Sequence, residues 1–196
     1  GIEIPNGENI CEKAWKLFHI DFEIGNVKIH LHKQIAIGAG LGGGSADASF
    51  TLKALNEIFE LKLTNKELEK YALQLGADCP FFIDNTPKLV EGIGEKMINI
   101  DLDLSEYNIR LINPGIHVST KEAYIDLVPK TPVLSVEKII EFPIIEWKGK
   151  LKNDFETSGF LKYPSLEKIK EELYTDGAIY ASMSGSGSVI YGVFSS

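Results

Sequence analysis

A glycine-rich segment lies in the first quarter of the chain and reads Ile37-Gly38-Ala39-Gly40-Leu41-Gly42-Gly43-Gly44-Ser45. Before it, residues 27–37 begin by alternating apolar with polar side chains, which is the period of a half-exposed strand. After it, apolar residues recur every three or four positions, at Ala48, Leu52, Leu55 and Phe59. The sequence therefore predicts a strand, a glycine loop and a helix that begins near Ser45.

Two phosphate-binding motifs fit this segment only in part. Gly38, Gly40 and Gly43 form a G-x-G-x-x-G, but the dinucleotide-binding version needs a preceding strand that is buried on both faces and an acidic residue about 20 positions later. Residues 28–33 are too polar for such a strand, and a second helix is predicted where a second strand would be needed. The P-loop of nucleotide triphosphatases needs a lysine at the position of Gly44. Neither motif is therefore assigned.

The segment still has the physical properties of a phosphate site. Glycines let the backbone approach a ligand closely, and the start of the following helix presents unpaired N–H groups and the positive end of the helix dipole. A tight turn without a ligand is the alternative interpretation. The position of the glycines between a strand and a helix favours anion binding.

The rest of the chain predicts a mixture of helices and short strands. A second helix is predicted from the capping-box sequence of residues 64–67, and a turn is predicted at residues 76–80. The other predicted strands are 88–95, 97–100, 108–113, 178–182 and 189–194, and the other predicted helices are 120–128, 135–142 and 164–174. The pattern places a division into two halves near residues 101–115.

Composition limits the class of protein and its partners. The 196 residues have a net charge of −8, from 20 basic and 28 acidic side chains, which argues against nucleic acid or an anionic membrane as the partner. No apolar run approaches the length of a membrane span, and no apolar segment led by Lys or Arg opens the given sequence as a signal peptide would. Two cysteines, Cys11 and Cys79, are too few for a disulfide scaffold. We therefore expect a cytoplasmic protein with reduced thiols.

Residues 38–48 closely resemble the phosphate loop of the superfamily that contains galactokinase, homoserine kinase, mevalonate kinase and phosphomevalonate kinase. Residues 75–82, 91–95, 113–124 and 182–187 agree with the superfamily in the same order, and residues 153–156 agree more weakly. The resemblance covers nearly the whole chain. It implies an α+β, two-lobed small-molecule kinase fold, with an ATP-binding lobe at residues 1–105 and a ferredoxin-like substrate lobe at residues 106–196.

The same resemblance implies ATP and Mg2+ as cofactors. The residues that would wrap the ATP phosphates are Ala36, Ile37, Gly38, Ala39, Gly40, Leu41, Gly42, Gly43, Gly44, Ser45 and Ala46. Ala36 stands where the superfamily usually has proline. Lys33 would lie near the nucleotide. Ser45 would bind Mg2+ through its hydroxyl, and on the sequence alone a simple role as helix N-cap is an equal alternative.

Asp78 corresponds to the catalytic aspartate of the superfamily, where a carboxylate orients the acceptor hydroxyl and takes its proton. A helix cap before Cys79-Pro80 is the alternative role. Thr120, Tyr124, Ser184 and Gly185 are implied to hold the acceptor, which in the most similar branch is a cytidine diphosphate-linked methylerythritol. Tyr124 would stack on the cytosine base, although an aromatic at helical spacing is more often part of a core. Ser184 and Gly185 alone would also fit a plain hairpin turn.

The superfamily opens with a strand-rich segment that carries a catalytic lysine and base-reading residues, and this chain contains no match to it. The closing helix and strand of the superfamily are also unmatched. We therefore expect the chain to lack both ends of the pattern. Two alternatives remain open, namely a kinase for another small alcohol, of the homoserine or mevalonate type, and a nucleotide-binding fragment without activity. The sequence does not determine the oligomeric state.

Overall fold

Residues 7–125 and 127–196 are described in the computed structural model of the chain, and they divide into two units. The first unit contains the described residues up to Ile37 together with Gly42–Asp101. The second unit contains Gly38–Leu41 together with Leu102–Ser196. The glycine run is thus shared between the units, which the sequence did not predict.

The first unit is mainly helical. Its helices are α1 (Ile10–Phe22), α2 (Gly43–Ile58), α3 (Asn65–Leu75) and α4 (Phe81–Asp84). Both α1 and α3 begin at a complete capping box, in which side chain and backbone satisfy each other's polar groups. Phe18 of α1 and Leu52 of α2 are fully buried in the core between these helices, and each contributes roughly 1.5–3 kcal/mol through burial.

A hairpin completes the first unit. Strands β1 (Lys88–Glu91) and β2 (Lys96–Asn99) pair antiparallel, with Glu91 opposite Lys96. Residues 92–95 form the turn between them and include two glycines with positive φ, Gly92 and Gly94. This turn lies beside the loop that follows α3, as described below.

The strand predicted over residues 27–37 is wrong. Residues 23–34 have no regular secondary structure, and 27–37 lie in no ladder within the described chain. A strand is stable only when a neighbouring strand pairs with its backbone N–H and C=O groups. The alternation of apolar and polar residues does not show whether such a neighbour exists. The apolar side chains of Ile29, Ile35 and Ile37 are consequently exposed.

The second unit is built on an antiparallel sheet. Its strands β3 (Tyr107–Ile112), β4 (Tyr180–Met183) and β5 (Ile190–Ser195) have the spatial order β3-β5-β4. Its helices are α5 (Thr120–Ile125), α6 (Val136–Ile140), α7 (Phe155–Lys162) and α8 (Pro164–Thr175), with a short 3-10 helix at Ile144–Glu146. Because alternate side chains of a strand point to opposite faces, the sheet has a core on each side.

The two cores of this sheet differ in their partners. On one face, Ala181, Met183 and Ile190 pack with Leu166 and Leu173 of α8. On the other face, Tyr180 and Val193 pack with Ile139, Ile144 and Trp147. The sheet is therefore covered on both faces. Because β4 and β5 are fixed in this way, so are the two ends of the loop that joins them.

The α+β class is confirmed by this mixture of helices and antiparallel strands. Helices α1 and α7 were not predicted, although the sequence of residues 9–12 contains the capping signal of α1. No helix in the described part of the chain has the length and apolar character needed to cross a membrane.

Candidate active site

The N-terminus of α2 is built from glycines that pack closely on their surroundings. The helix begins at Gly43 with Gly42 as its N-cap, and among residues 7–125 and 127–196 no side chain caps its first N–H groups. A Cβ at Gly42 would lie 2.8 Å from the Phe82 ring, whereas a Cβ at Gly44 would meet no atom within 4 Å. Open space therefore lies beside Gly44, next to free N–H donors at the positive end of a 16-residue helix.

Ser45 is the third residue of α2, and the sequence alternative that makes it the N-cap is wrong because Gly42 occupies that position. Its hydroxyl interacts with the buried thiol of Cys79, and burial raises the pKa of that thiol. A hydroxyl oxygen suits Mg2+, which binds oxygen ligands and fills its remaining positions with phosphate oxygens and water. The residue present therefore fits the predicted metal ligand, and its role stays a prediction.

Lys33 is buried, with 5% of its side chain exposed, and its ammonium group forms an ion pair with Asp47 of α2 at 2.5 Å. A buried ammonium needs such a partner because leaving water is costly for an unpaired charge. A Cβ at Gly43 would lie 3.1 Å from Lys33 Nζ, so the charge sits directly beside the helix start. Sequence reasoning missed Asp47, although it lies within the matched phosphate-loop string.

Asp78 lies in the turn between α3 and α4, and its side chain is exposed. Pro80 is the N-cap of α4 and no side chain caps this helix, so the structure does not support the capping alternative. The next residue, Cys79, is fully buried; its N–H donates to the Gly76 carbonyl oxygen (3.1 Å) and its own carbonyl oxygen accepts from the Ser49 hydroxyl (2.6 Å). Within the described chain the Asp78 carboxylate accepts no hydrogen bond. This carboxylate is therefore free, while the backbone of the next residue is held by hydrogen bonds.

In the second unit, the first part of the glycine run meets the loop between β4 and β5. The Ser184 hydroxyl donates to the Gly40 carbonyl oxygen (2.7 Å), and the Val189 N–H donates to the Ala39 carbonyl oxygen (3.2 Å). A Cβ at Gly185 would lie 3.4 Å from the Gly40 carbonyl oxygen. The structure thus brings together two glycine loops that are far apart in sequence.

Thr120 and Tyr124 belong to α5. The Thr120 and Ser186 hydroxyls lie 3.2 Å apart, which joins the start of α5 to the same loop. Tyr124 is 61% exposed and packs edge-on against Phe155 at a centroid distance of 4.9 Å. The core alternative for Tyr124 is therefore wrong, because most of the residue's surface is exposed.

Two further residues hold the β4–β5 loop, and sequence reasoning gave them no role. The Asn153 amide donates to the carbonyl oxygens of Met183 (2.8 Å) and Gly185 (2.7 Å). Glu156 accepts from the Met183 N–H (2.9 Å) and forms an ion pair with Lys170 (2.6 Å). The only sequence feature that could have pointed to them was the weak agreement of residues 153–156 with the kinase superfamily.

The predicted site residues therefore fall into two groups. Lys33, Asp78 and the segment from Gly42 to Ala46 belong to the first unit, as do Ala36 and Ile37. Gly38–Leu41, Thr120, Tyr124, Ser184 and Gly185 belong to the second unit. Each unit thus contains part of the glycine run, the first unit also contains the predicted catalytic Asp78, and the second contains all the predicted acceptor residues.

Comparison with known proteins identifies the class. Residues 9–85 match the family described as GHMP kinases N terminal domain, and residues 143–196 match GHMP kinases C terminal. The structure also resembles a homoserine kinase from Cytophaga hutchinsonii, with a TM-score of 0.68 at 20% identity over 96% of this chain and 67% of that one. The fold is therefore that of the GHMP small-molecule kinases.

More similar relatives define the particular family. The 4-diphosphocytidyl-2-C-methyl-D-erythritol kinase of Azobacteroides pseudotrichonymphae is 51% identical over 95% of this chain and 70% of its own length. The enzyme of the same name from Bacteroides fragilis is 50% identical over 100% of this chain and 72% of its own length. A crystal structure of 4-(cytidine 5'-diphospho)-2C-methyl-D-erythritol kinase superposes with a TM-score of 0.82 at 32% identity, over 97% of this chain and 71% of that one. The chain belongs to the 4-diphosphocytidyl-2-C-methyl-D-erythritol kinase family.

Proposed function

We propose that the chain transfers the γ-phosphoryl group of ATP to the 2-hydroxyl of 4-diphosphocytidyl-2-C-methyl-D-erythritol, a step of non-mevalonate isoprenoid precursor synthesis. The observation that carries the proposal is the free carboxylate of Asp78, which belongs to the same unit as the glycine start of α2. Family membership supports the choice of acceptor. A homoserine-type or mevalonate-type acceptor is the alternative within the class.

The ATP phosphates would be bound by residues 36–46. Unpaired N–H groups and the helix dipole at Gly43 and Gly44 would balance the negative charge of the phosphates. Such local groups are needed because the chain as a whole has a net charge of −8 and would repel an anion. Lys33 lies next to this position, although its charge is already paired with Asp47. Mg2+, held by the Ser45 hydroxyl and by phosphate oxygens, would supply further charge neutralisation.

The Asp78 carboxylate would accept the proton of the acceptor hydroxyl. As the hydroxyl oxygen bonds to the γ-phosphorus, the bond from the γ-phosphorus to the bridging oxygen breaks, and ADP leaves with that electron pair. A carboxylate without a competing hydrogen bond suits this role because its oxygens remain available to the hydroxyl. Most of the remaining rate acceleration would come from holding ATP and the acceptor in the correct relative position.

The acceptor would lie against the second group of residues. The exposed ring of Tyr124 offers a stacking surface for cytosine, and Thr120 offers a hydroxyl beside it. Ser184 and Gly185 would place backbone and hydroxyl groups near the diphosphate. Asn153 supports this loop through two hydrogen bonds.

The proposed setting is the cytoplasm, with small-molecule substrates and without nucleic acid or membrane partners. Both cysteines are free and buried, which suits a reducing compartment. The excess of acidic side chains would repel polyanionic surfaces.

The test is acceptor-dependent ADP release by the purified chain. We expect release with 4-diphosphocytidyl-2-C-methyl-D-erythritol and none above background with homoserine or mevalonate. Asp78→Asn should lower kcat by at least about 100-fold, since general-base catalysis contributes on the order of 10²–10⁴-fold, and should leave the Kd for ATP within about twofold. ATP binding without any acceptor-dependent release would show a nucleotide-binding chain without kinase activity, and it would refute the proposal.

A further inference from the structure

The motif at residues 91–95, Glu-Gly-Ile-Gly-Glu, has no role in the function proposed above. It runs from the last residue of β1 through the turn that leads to β2. Gly94 is buried, whereas its neighbours in the turn, Gly92, Ile93 and Glu95, are exposed. The Gly94 N–H donates to the Glu91 carbonyl oxygen (3.3 Å), and the Glu95 carboxylate accepts from the Ile93 N–H (2.6 Å). These bonds give the turn a defined shape.

The buried side of Gly94 lies against the residue that precedes Asp78. A Cβ at Gly94 would overlap the carbonyl oxygen of Ala77 and lie 2.8 Å from its carbonyl carbon. The atoms in the way belong to the backbone, which cannot rotate aside as a flexible side chain would. The φ of Gly94 is +108°, a conformation that residues with a side chain rarely adopt. Both the space and the backbone conformation therefore require glycine.

The backbone around Asp78 is consequently fixed on two sides. Ala77 rests against the turn at Gly94, and Cys79 is anchored to α2 through the Ser49 hydroxyl. Between these two contacts, the Asp78 side chain is exposed. A shift of Ala77 would rotate the peptide group that joins it to Asp78. The Asp78 carboxylate would then point in a different direction.

We infer that Gly94 is a positioning residue for Asp78, and that the hairpin turn fixes the direction in which the carboxylate meets the acceptor hydroxyl. The inference rests on the function proposed for Asp78. Displacement of a reacting group by about 1 Å costs up to roughly 100-fold in rate, so a small backbone shift has a large effect.

The first experiment compares Gly94→Ala with Gly177→Ala. Gly177 has a φ of +99° and a Cβ there would meet no atom within 4 Å, so its substitution imposes similar backbone strain without a collision. We expect Gly94→Ala to lower kcat by at least about tenfold and to leave KM for ATP within about twofold. Gly177→Ala should keep kcat within about twofold, and its loss of Tm should be smaller than that of Gly94→Ala because it adds backbone strain without a collision. Equal kcat values for the two variants, at matched folded fraction, would overturn the inference.

The second experiment is a double-mutant cycle with Asp78→Asn. If Gly94 acts through Asp78, adding Gly94→Ala to Asp78→Asn should lower kcat by less than about twofold, because the group that it positions is already lost. Full additivity of the two effects would overturn the inference. Unchanged kcat in Asp78→Asn alone would instead refute the function proposed for Asp78, which is a distinguishable result.

A third measurement does not depend on turnover. Hydrogen exchange of the Cys79 amide should be about tenfold faster in Gly94→Ala than in the unmodified chain and in Gly177→Ala, since the turn no longer restrains the loop. The Cys79 amide is a suitable reporter because it is bonded to the Gly76 carbonyl oxygen. Identical exchange in all three proteins would overturn the inference even if the chain proved inactive.

Discussion

Gly40 and Gly44 lie four positions apart in one glycine run, yet their surroundings are opposite. A Cβ at Gly40 would overlap the Ser184 carbonyl oxygen and lie 3.0 Å from the Gly187 carbonyl oxygen, and its φ is +78°. A Cβ at Gly44 would meet nothing within 4 Å. The protein's own packing requires the first glycine, whereas the second keeps space free at the start of α2. One motif therefore combines a glycine that the packing requires with a glycine that leaves open space beside the helix start.

The largest effect is expected at Gly40. Gly40→Ala should lower the free energy of unfolding by about 2–4 kcal/mol, because a side chain at positive φ costs roughly 1–2 kcal/mol and the overlap with Ser184 adds to it. Urea denaturation followed by tryptophan fluorescence measures the change, with Trp15→Phe in both proteins so that the signal comes from Trp147, which is buried in the second unit. An unchanged urea midpoint would show that the two loops separate easily, and that the comparison with Gly44 is wrong.

An intermediate effect, of a different kind, is expected at Gly44. Gly44→Ala should leave the free energy of unfolding unchanged or raise it by up to about 1 kcal/mol, since alanine favours a helix more than glycine does. The Kd for ATP should rise about tenfold because the methyl group enters the space proposed for a phosphate. Titration calorimetry with ATP measures this, with Gly177→Ala as the control outside the loop. Unchanged ATP affinity would place the phosphates elsewhere.

The smallest effect is expected from the single hydrogen bond between the two loops. Ser184→Ala removes the donor to the Gly40 carbonyl oxygen and should cost about 0.5–1.5 kcal/mol in the free energy of unfolding. Ser186→Ala is the matched control, because the Ser186 hydroxyl contacts Thr120 at an exposed position and should cost less. If both variants lower the free energy of unfolding equally, the hydrogen bond to Gly40 stabilises the contact between the two loops no more than the Thr120–Ser186 contact does.

The order of the local elements around the glycine run was predictable, with one exception. The capping box at residues 64–67 correctly predicted α3, and the apolar spacing after Ser45 predicted α2, which begins two residues earlier than expected. These signals are local, because caps and helical spacing act within a few residues. The strand over residues 27–37 failed because its pairing depends on a partner elsewhere in a fold.

Part of the candidate site was beyond prediction for the same reason. Asn153 holds the carbonyl oxygen of Gly185, 32 positions away, and Ser184 holds that of Gly40, 144 positions away. No periodicity or spacing reveals such contacts between side chain and backbone. The collision that makes Gly94 necessary beside Ala77 is likewise visible only when the hairpin is folded.

The amino-acid sequence alone determined the class of kinase, since this depends on residue types in a fixed local order. From the same order it predicted a phosphate-binding role for the glycine run and a catalytic role for Asp78. The tertiary structure decided that Gly38–Leu41 packs with the second unit and that Gly42 caps α2 in the first. It also decided that Asp78 is free while Lys33 is paired with Asp47. Burial, steric room and long-range hydrogen bonds exist only once distant segments pack, and these properties give each glycine its separate role.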